Sequence, residues 1–154
     1  MRRLEKLNNL TNYLTALRAP GLDIEPLRVI DEAQTTTRLA RRSGTQIVIA
    51  RPEFKQEGSA DSYTTEYSTA IFVVEKALGA ASTDEREDAQ FSDLVGAACG
   101  LLTKIEQDVS SCVPLLSGLD LINVELFPVS SIFGGWNGYS IVLAFNQVIG
   151  TSFV

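Results

Sequence analysis

Residues 82–111 read STDEREDAQFSDLVGAACGLLTKIEQDVSS, and residues 133–146 read FGGWNGYSIVLAFN. Their order decides the fold: a long acidic-headed helix, then an aromatic, glycine-rich loop opening a strand. Phe91, Leu94, Val95, Ala98, Leu101, Leu102, Ile105 and Val109 recur at three- and four-residue steps, which puts them on one face of a helix from Asp84 to about Ser111. Ser82 with Glu85 three residues on predicts a capping box, and Pro114 stops the helix. In its middle, Gly96-Ala97-Ala98-Cys99-Gly100 is all small. Each glycine there costs about 1 kcal/mol against alanine, and close approach of the helix to a sheet or another helix is the expected compensation. After the loop, Tyr139, Ile141, Leu143 and Phe145 alternate with Ser140, Val142, Ala144 and Asn146, the pattern of a half-buried strand. Asn137-Gly138 reads as a turn. The loop has two readings. Either Trp136 tucks over the end of the core, or Phe133, Trp136 and Tyr139 anchor a partner, since aromatic residues are enriched at contacts between subunits.

Upstream of the long helix, Tyr63–Val74 is the longest strand pattern, polar at first and continuously apolar from Ala70. It starts at an exposed rim and runs into a core covered on both faces. Thr45–Ala50 is a second strand, closed by Pro52, and residues 53–62 read as a polar loop. Residues 20–44 read as an irregular arm or extended hairpin, because Pro26 disfavours a central strand and Thr35-Thr36-Thr37 favours extended backbone; a short strand or irregular arm is expected first, then a strand near Thr36–Arg41. Leu4, Leu7, Leu10, Leu14 and Leu17 predict an amphipathic helix over residues 1–18, ended by Ala19-Pro20-Gly21. Leu119–Phe127 reads as a strand whose apolar phase changes at Leu121-Ile122, as a bulge requires, and Pro128 places its end at an edge. The expectation is an α+β fold: a mostly antiparallel sheet of four or five strands, one long helix on a face and an N-terminal helix. A single domain spans residues 1–154, its sheet-and-helix core over 45–148.

Composition narrows function more than it assigns it. There is no histidine, which removes the usual general base, the commonest metal ligand and the Ser-His or Cys-His pair. Asp84, Glu85, Glu87 and Asp88 are the tightest acidic cluster, but first-turn carboxylates are what a helix N-terminus favours. An enzyme is not expected, nor a cofactor or metal. Gly134, Gly135 and Gly138 are followed by a strand rather than a helix, so they form no phosphate cradle. Cys99 and Cys112, roughly 20 Å apart along one helix, read as small buried residues in a reducing compartment. No run of 18 apolar residues suggests a membrane span, and Leu7–Asn12 is too polar for a signal sequence.

The net charge of −6 is unevenly placed: residues 1–55 hold ten Lys/Arg against six Asp/Glu, and residues 56–154 hold three against thirteen. Either charge simply falls where surface falls, or the subunit has a basic and an acidic face suited to head-to-tail association. Arg38, Arg41 and Arg42, with Arg51 and Lys55, form a basic group that would project from one face if residues 38–42 paired with 45–51. Phosphate contact is one use for it.

Tyr67–Glu75 (YSTAIFVVE), the helix at Asp84–Val109 and Phe133–Phe145 (FGGWNGYSIVLAF) come in an order that resembles the small tail-terminator, tail-completion and neck (head–tail joining) proteins of tailed bacteriophages. The resemblance implies a virion structural subunit, assembled in the host bacterial cytoplasm into a homo-oligomeric ring of sixfold or twelvefold symmetry. It implies portal, adaptor or tail proteins as neighbours, DNA as a passenger through the lumen, and no membrane. The competing reading is a small-molecule-binding or regulatory α+β domain with a cavity beside Gly96–Gly100.

Overall fold

The computed structural model describes residues 2–58, 63–79, 81–116, 118–121 and 124–149. Among these residues the fold is α+β, with three α-helices and a mixed six-stranded sheet. In chain order the elements are α1 (Arg2–Ala16), β1 (Leu27–Val29), α2 (Glu32–Leu39), β2 (Gln46–Ala50), β3 (Glu53–Gly58), β4 (Tyr63–Lys76), α3 (Asp84–Ser110), a 3-10 turn (Pro114–Leu116), β5 (Glu125–Ile132) and β6 (Trp136–Ile149). The strand order is β1-β2-β4-β6-β5, and β3 flanks β4 beyond the end of β2. The sheet has six strands, not the expected four or five, and it is mixed: β1 runs parallel to β2 with α2 as the crossover, and the other pairings are antiparallel. A parallel neighbour needs such a connection; β1 is the short strand that was one reading of this stretch, and α2 stands where a second strand was expected.

That helix overrides extended propensity for local reasons. The Asp31 side chain caps it by accepting from Gln34 N–H at 2.8 Å. The hydroxyls of Thr35, Thr36 and Thr37 donate to the carbonyls of Asp31, Glu32 and Ala33, four residues back. No strand forms at Thr36–Arg41, and the proposed 38–42/45–51 hairpin does not exist. Residues 53–58, read as loop, instead pair with β4 from Ser68 to Tyr63; the rest of that segment, 59–62, lies outside the described residues.

The sheet separates two hydrophobic layers. On one face α1 and α3 pack over Ile47, Ile49, Tyr67, Ile71, Val73, Ile141, Leu143 and Phe145, with Leu10, Leu14, Leu94, Ala98, Leu101 and Ile105 supplied by the helices. The opposite face carries a smaller cluster in which Leu39 of α2 meets Leu27, Val29, Val48, Val74, Phe133 and Trp136. The far end of β4 is therefore buried on both sides, as its apolar run predicts: Ile71 and Val73 face one layer, Phe72 and Val74 the other.

Smaller corrections share one cause: tertiary pairing shifted boundaries that local pattern had placed. Thr83, not Ser82, caps α3, its hydroxyl accepting from Arg86 N–H at 3.3 Å. The strand expected at Leu119–Phe127 is β5, beginning at Glu125, with Leu119 contributing one isolated bridge to Phe145. The expected bulge fell on Leu121-Ile122, of which Ile122 lies outside the described residues; β5 changes register between Val129 and Ile132 instead. Cys99 and Cys112 are exposed, not buried. The turn is Phe133-Gly134-Gly135, and Asn137 and Gly138 are already in β6.

Candidate interaction surfaces

Gly138 shows why the loop cannot be shifted by one turn. It sits opposite Val74, and a Cβ there would lie 1.9 Å from the Val73 carbonyl oxygen. Asn137 beside it is buried and holds the hairpin: its Oδ1 accepts from Ser131 N–H at 2.9 Å, and its Nδ2 donates to Gln90 Oε1 at 3.3 Å. Gln90, on α3, donates in turn to Glu75 Oε1 at 3.3 Å and to the Lys76 carbonyl at 2.9 Å. This polar seam locks the β5–β6 hairpin to α3 and to the end of β4. It is satisfied from both sides and structural in character.

Of the three aromatic residues read as contact anchors, Phe133 is 9% exposed and Trp136 3% exposed, both inside the α2-side cluster. Phe133 meets Phe72 edge-on at 5.1 Å between ring centres. Tyr139 is half-buried on the other face, edge-on to Phe91 at 6.0 Å. The structure therefore realises the core-plug reading, and the projecting aromatic tip is corrected: Gly134 and Gly135 make the turn tight enough to fold the rings back onto the sheet.

Arg38, Arg41 and Arg42 are brought together. They lie at the C-terminal end of α2, exposed, and with Leu27 and Thr37 line an open groove of about 550 Å³. Arg38 donates to the Arg28 carbonyl at 2.5 Å, and Arg42 to Gln46 Oε1 at 3.3 Å. Parallel pairing sends the Val29 carbonyl to Arg51 N–H on the β2 side, so the Arg28 carbonyl faces the free edge of β1. Arg38 thus covers the one open edge of this unit.

Two elements of opposite charge lie on opposite sides of the sheet. The β1–α2–β2 unit, residues 27–51, carries five arginines against two acids, and α3 carries seven acids against two bases. These elements pack on opposite faces of the sheet. Among the described residues, Arg41 and the acids from Asp84 to Asp93 form no ion pair within the chain. The acids of α3 do not converge with other carboxylates or thiols into a metal-holding group among the described residues. No described helix is long and apolar enough to cross a membrane.

One clasp joins α1 to α3 on their shared side of the sheet. Tyr13 Oη donates to Asp108 Oδ2 at 2.6 Å, and Lys104 Nζ donates to Asp108 Oδ1 at 3.0 Å. The Tyr13 hydrogen bond, then Lys104, holds the Asp108 carboxyl below its ordinary range, while burial, then the Asp108 contact, pushes the Tyr13 phenol well above its own. Sequence pattern missed this pair because its members are 95 residues apart.

The chain matches no protein-family model and no curated protein.

Proposed function

We propose that this chain is a structural subunit of a tailed-phage virion, forming a homo-oligomeric ring at the head–tail junction or tail end. The observation that supports the reading is the placement of the arginine-rich β1–α2–β2 unit and the acidic helix α3 on opposite sides of the sheet. A surface whose two sides attract each other cannot satisfy both within one copy. It favours heterologous, head-to-tail contacts, which close into rings when the rotation permits. The element order of the three stretches that resemble neck and tail-terminator proteins supplies the virion context. The competing ligand-binding reading loses its specific support, because the notch at Gly100 is filled by Pro20, 2.6 Å from where a Cβ would sit.

Native mass spectrometry and negative-stain imaging at low ionic strength test the proposal. A closed ring of fixed stoichiometry is the expected outcome. A strict monomer at high concentration, with no ring on grids, overturns it. Genes for capsid, portal or tail-tube proteins flanking this one would favour the virion setting over any other ring.

A further inference from the structure

Arg38, Arg41 and Arg42 line one open groove of about 550 Å³ with Leu27 and Thr37. No carboxylate lines it, and none of the three arginines forms an ion pair, among the described residues. Arg38 and Arg42 are nonetheless held in place, because each donates to a neutral acceptor, the Arg28 carbonyl and Gln46 Oε1. Those bonds orient a guanidinium without neutralising it. The two acids of the β1–α2–β2 unit, Asp31 and Glu32, stand at the start of α2, and Arg41 lies roughly 13 Å beyond them along the helix direction. That exceeds the screening length of about 10 Å at 0.1 M salt. The acids of α3 lie across the sheet. A chain of net charge −6 therefore presents a locally positive groove.

We propose that this groove binds the phosphodiester backbone of a nucleic-acid duplex, independently of base sequence. Guanidinium forks match phosphate oxygens two at a time. A phosphodiester chain carries a charge at every nucleotide, so neighbouring arginines find anions without ordered side chains having to supply them. The groove is open, whereas a site for a small phosphate compound encloses most of its ligand. Its one apolar wall, Leu27, is 7% exposed, and no aromatic side chain lines it among the described residues. It therefore offers no platform on which unpaired bases stack. The contact is to backbone rather than to bases, and it favours paired over single strands. It stands apart from the ring reading, which asks for attraction between basic and acidic elements and seats no carboxylate in the groove.

Fluorescence anisotropy of a labelled duplex, titrated with the full chain between about 20 mM and about 200 mM salt, tests the groove. Three phosphate contacts predict that log K falls with log salt at a slope of about −2.7. Arg41→Gln removes one contact and is expected to bring the slope to about −1.8. Its melting temperature should match wild type, because Arg41 is exposed and makes no ion pair among the described residues. Two duplexes of unrelated sequence should bind alike. No binding at the lowest salt overturns the proposal, as does an Arg41→Gln slope equal to that of wild type. Glu87→Gln/Asp88→Asn changes charge on the far side of the sheet. A slope that falls there as far as in Arg41→Gln assigns binding to assembly and overturns the groove. Pyrophosphate that displaces the duplex at matched phosphate concentration assigns the site to a free anion, and overturns it too. Rings that bind no duplex overturn the groove and leave the ring reading standing; duplex binding by a strict monomer does the reverse.

Discussion

Tyr13, Asp108 and Lys104 tie the first helix to the third through one carboxylate that accepts from both partners. A hydrogen bond to a charged group contributes roughly 1.5–3 kcal/mol when sheltered, and partial exposure reduces that to about 1–2 kcal/mol here. Tyr13→Phe is expected to lose about that much at pH 7, measured by urea unfolding. The pH dependence has a sign on each side. Asp108 has a lowered folded pKa, so its contribution is present above the unfolded value near ~3.9 and is lost as pH falls through the folded value. Tyr13 has a raised folded pKa, so its contribution is full below the unfolded value near ~10 and is lost as pH rises beyond it. The gap between wild type and Tyr13→Phe should therefore be flat between about pH 4 and about pH 10 and narrow on either side of that window; a gap that narrows between those limits, or that does not shrink below about pH 3, contradicts the linkage. Gly138 is a harder constraint. Its missing Cβ is where the Val73 carbonyl sits, and Gly138→Ala must push β4 and β6 apart along their longest pairing. A loss of roughly 3 kcal/mol or more, or failure to fold, is the expected result in thermal unfolding.

At the scale of elements, α2 and its small cluster show what pattern could and could not carry. The long helix, the two-faced end of β4 and the alternating final strand were legible because each buries a continuous stripe whose period survives in the sequence. The helix α2 was not. It has eight residues with a Thr-Thr-Thr centre, and only Thr35 and Leu39 are buried, too few positions to establish a period. Its Asp31 cap was the available signal. β3 was hidden for the opposite reason: its residues Glu53–Gln56 are exposed, and backbone pairing to β4 rather than side-chain burial makes it a strand. Trp136 was visible as distinctive, but its direction depended on the turn falling at Phe133–Gly135 instead of Asn137-Gly138. Two substitutions test the element. Asp31→Ala removes the cap and should cost about 1 kcal/mol. Trp136→Ala empties the cluster beneath α2 and should cost roughly 3–5 kcal/mol, read as a lowered urea midpoint with early loss of protection in α2 amides. If α2 amides stay protected in Trp136→Ala, the cluster is not what holds that helix.

Over the whole molecule, the arginine-rich β1–α2–β2 unit and the acidic helix α3 lie on opposite sides of one sheet, while the bases of α1 share the α3 side. Neither composition nor order of charges gives that; it depends on a parallel β1–β2 pair and on α3 crossing back over the other face. The geometry has a consequence for assembly. Charges that attract across a contact are screened within about 10 Å at 0.1 M salt and about 3 Å at 1 M. Assembly should therefore weaken from 50 mM to 500 mM salt. Arg41→Glu isolates the electrostatic part, since Arg41 has no ion pair within the chain among the described residues and the substitution leaves the Arg38 and Arg42 hydrogen bonds in place. It should leave the melting temperature near that of wild type and weaken assembly at low salt about tenfold. At high salt the difference should shrink. Reversing acids of the first turns of α3 to lysine should recover the loss in Arg41→Glu. An Arg41→Glu protein that assembles as well as wild type at 50 mM salt removes the basic face from the assembly mechanism.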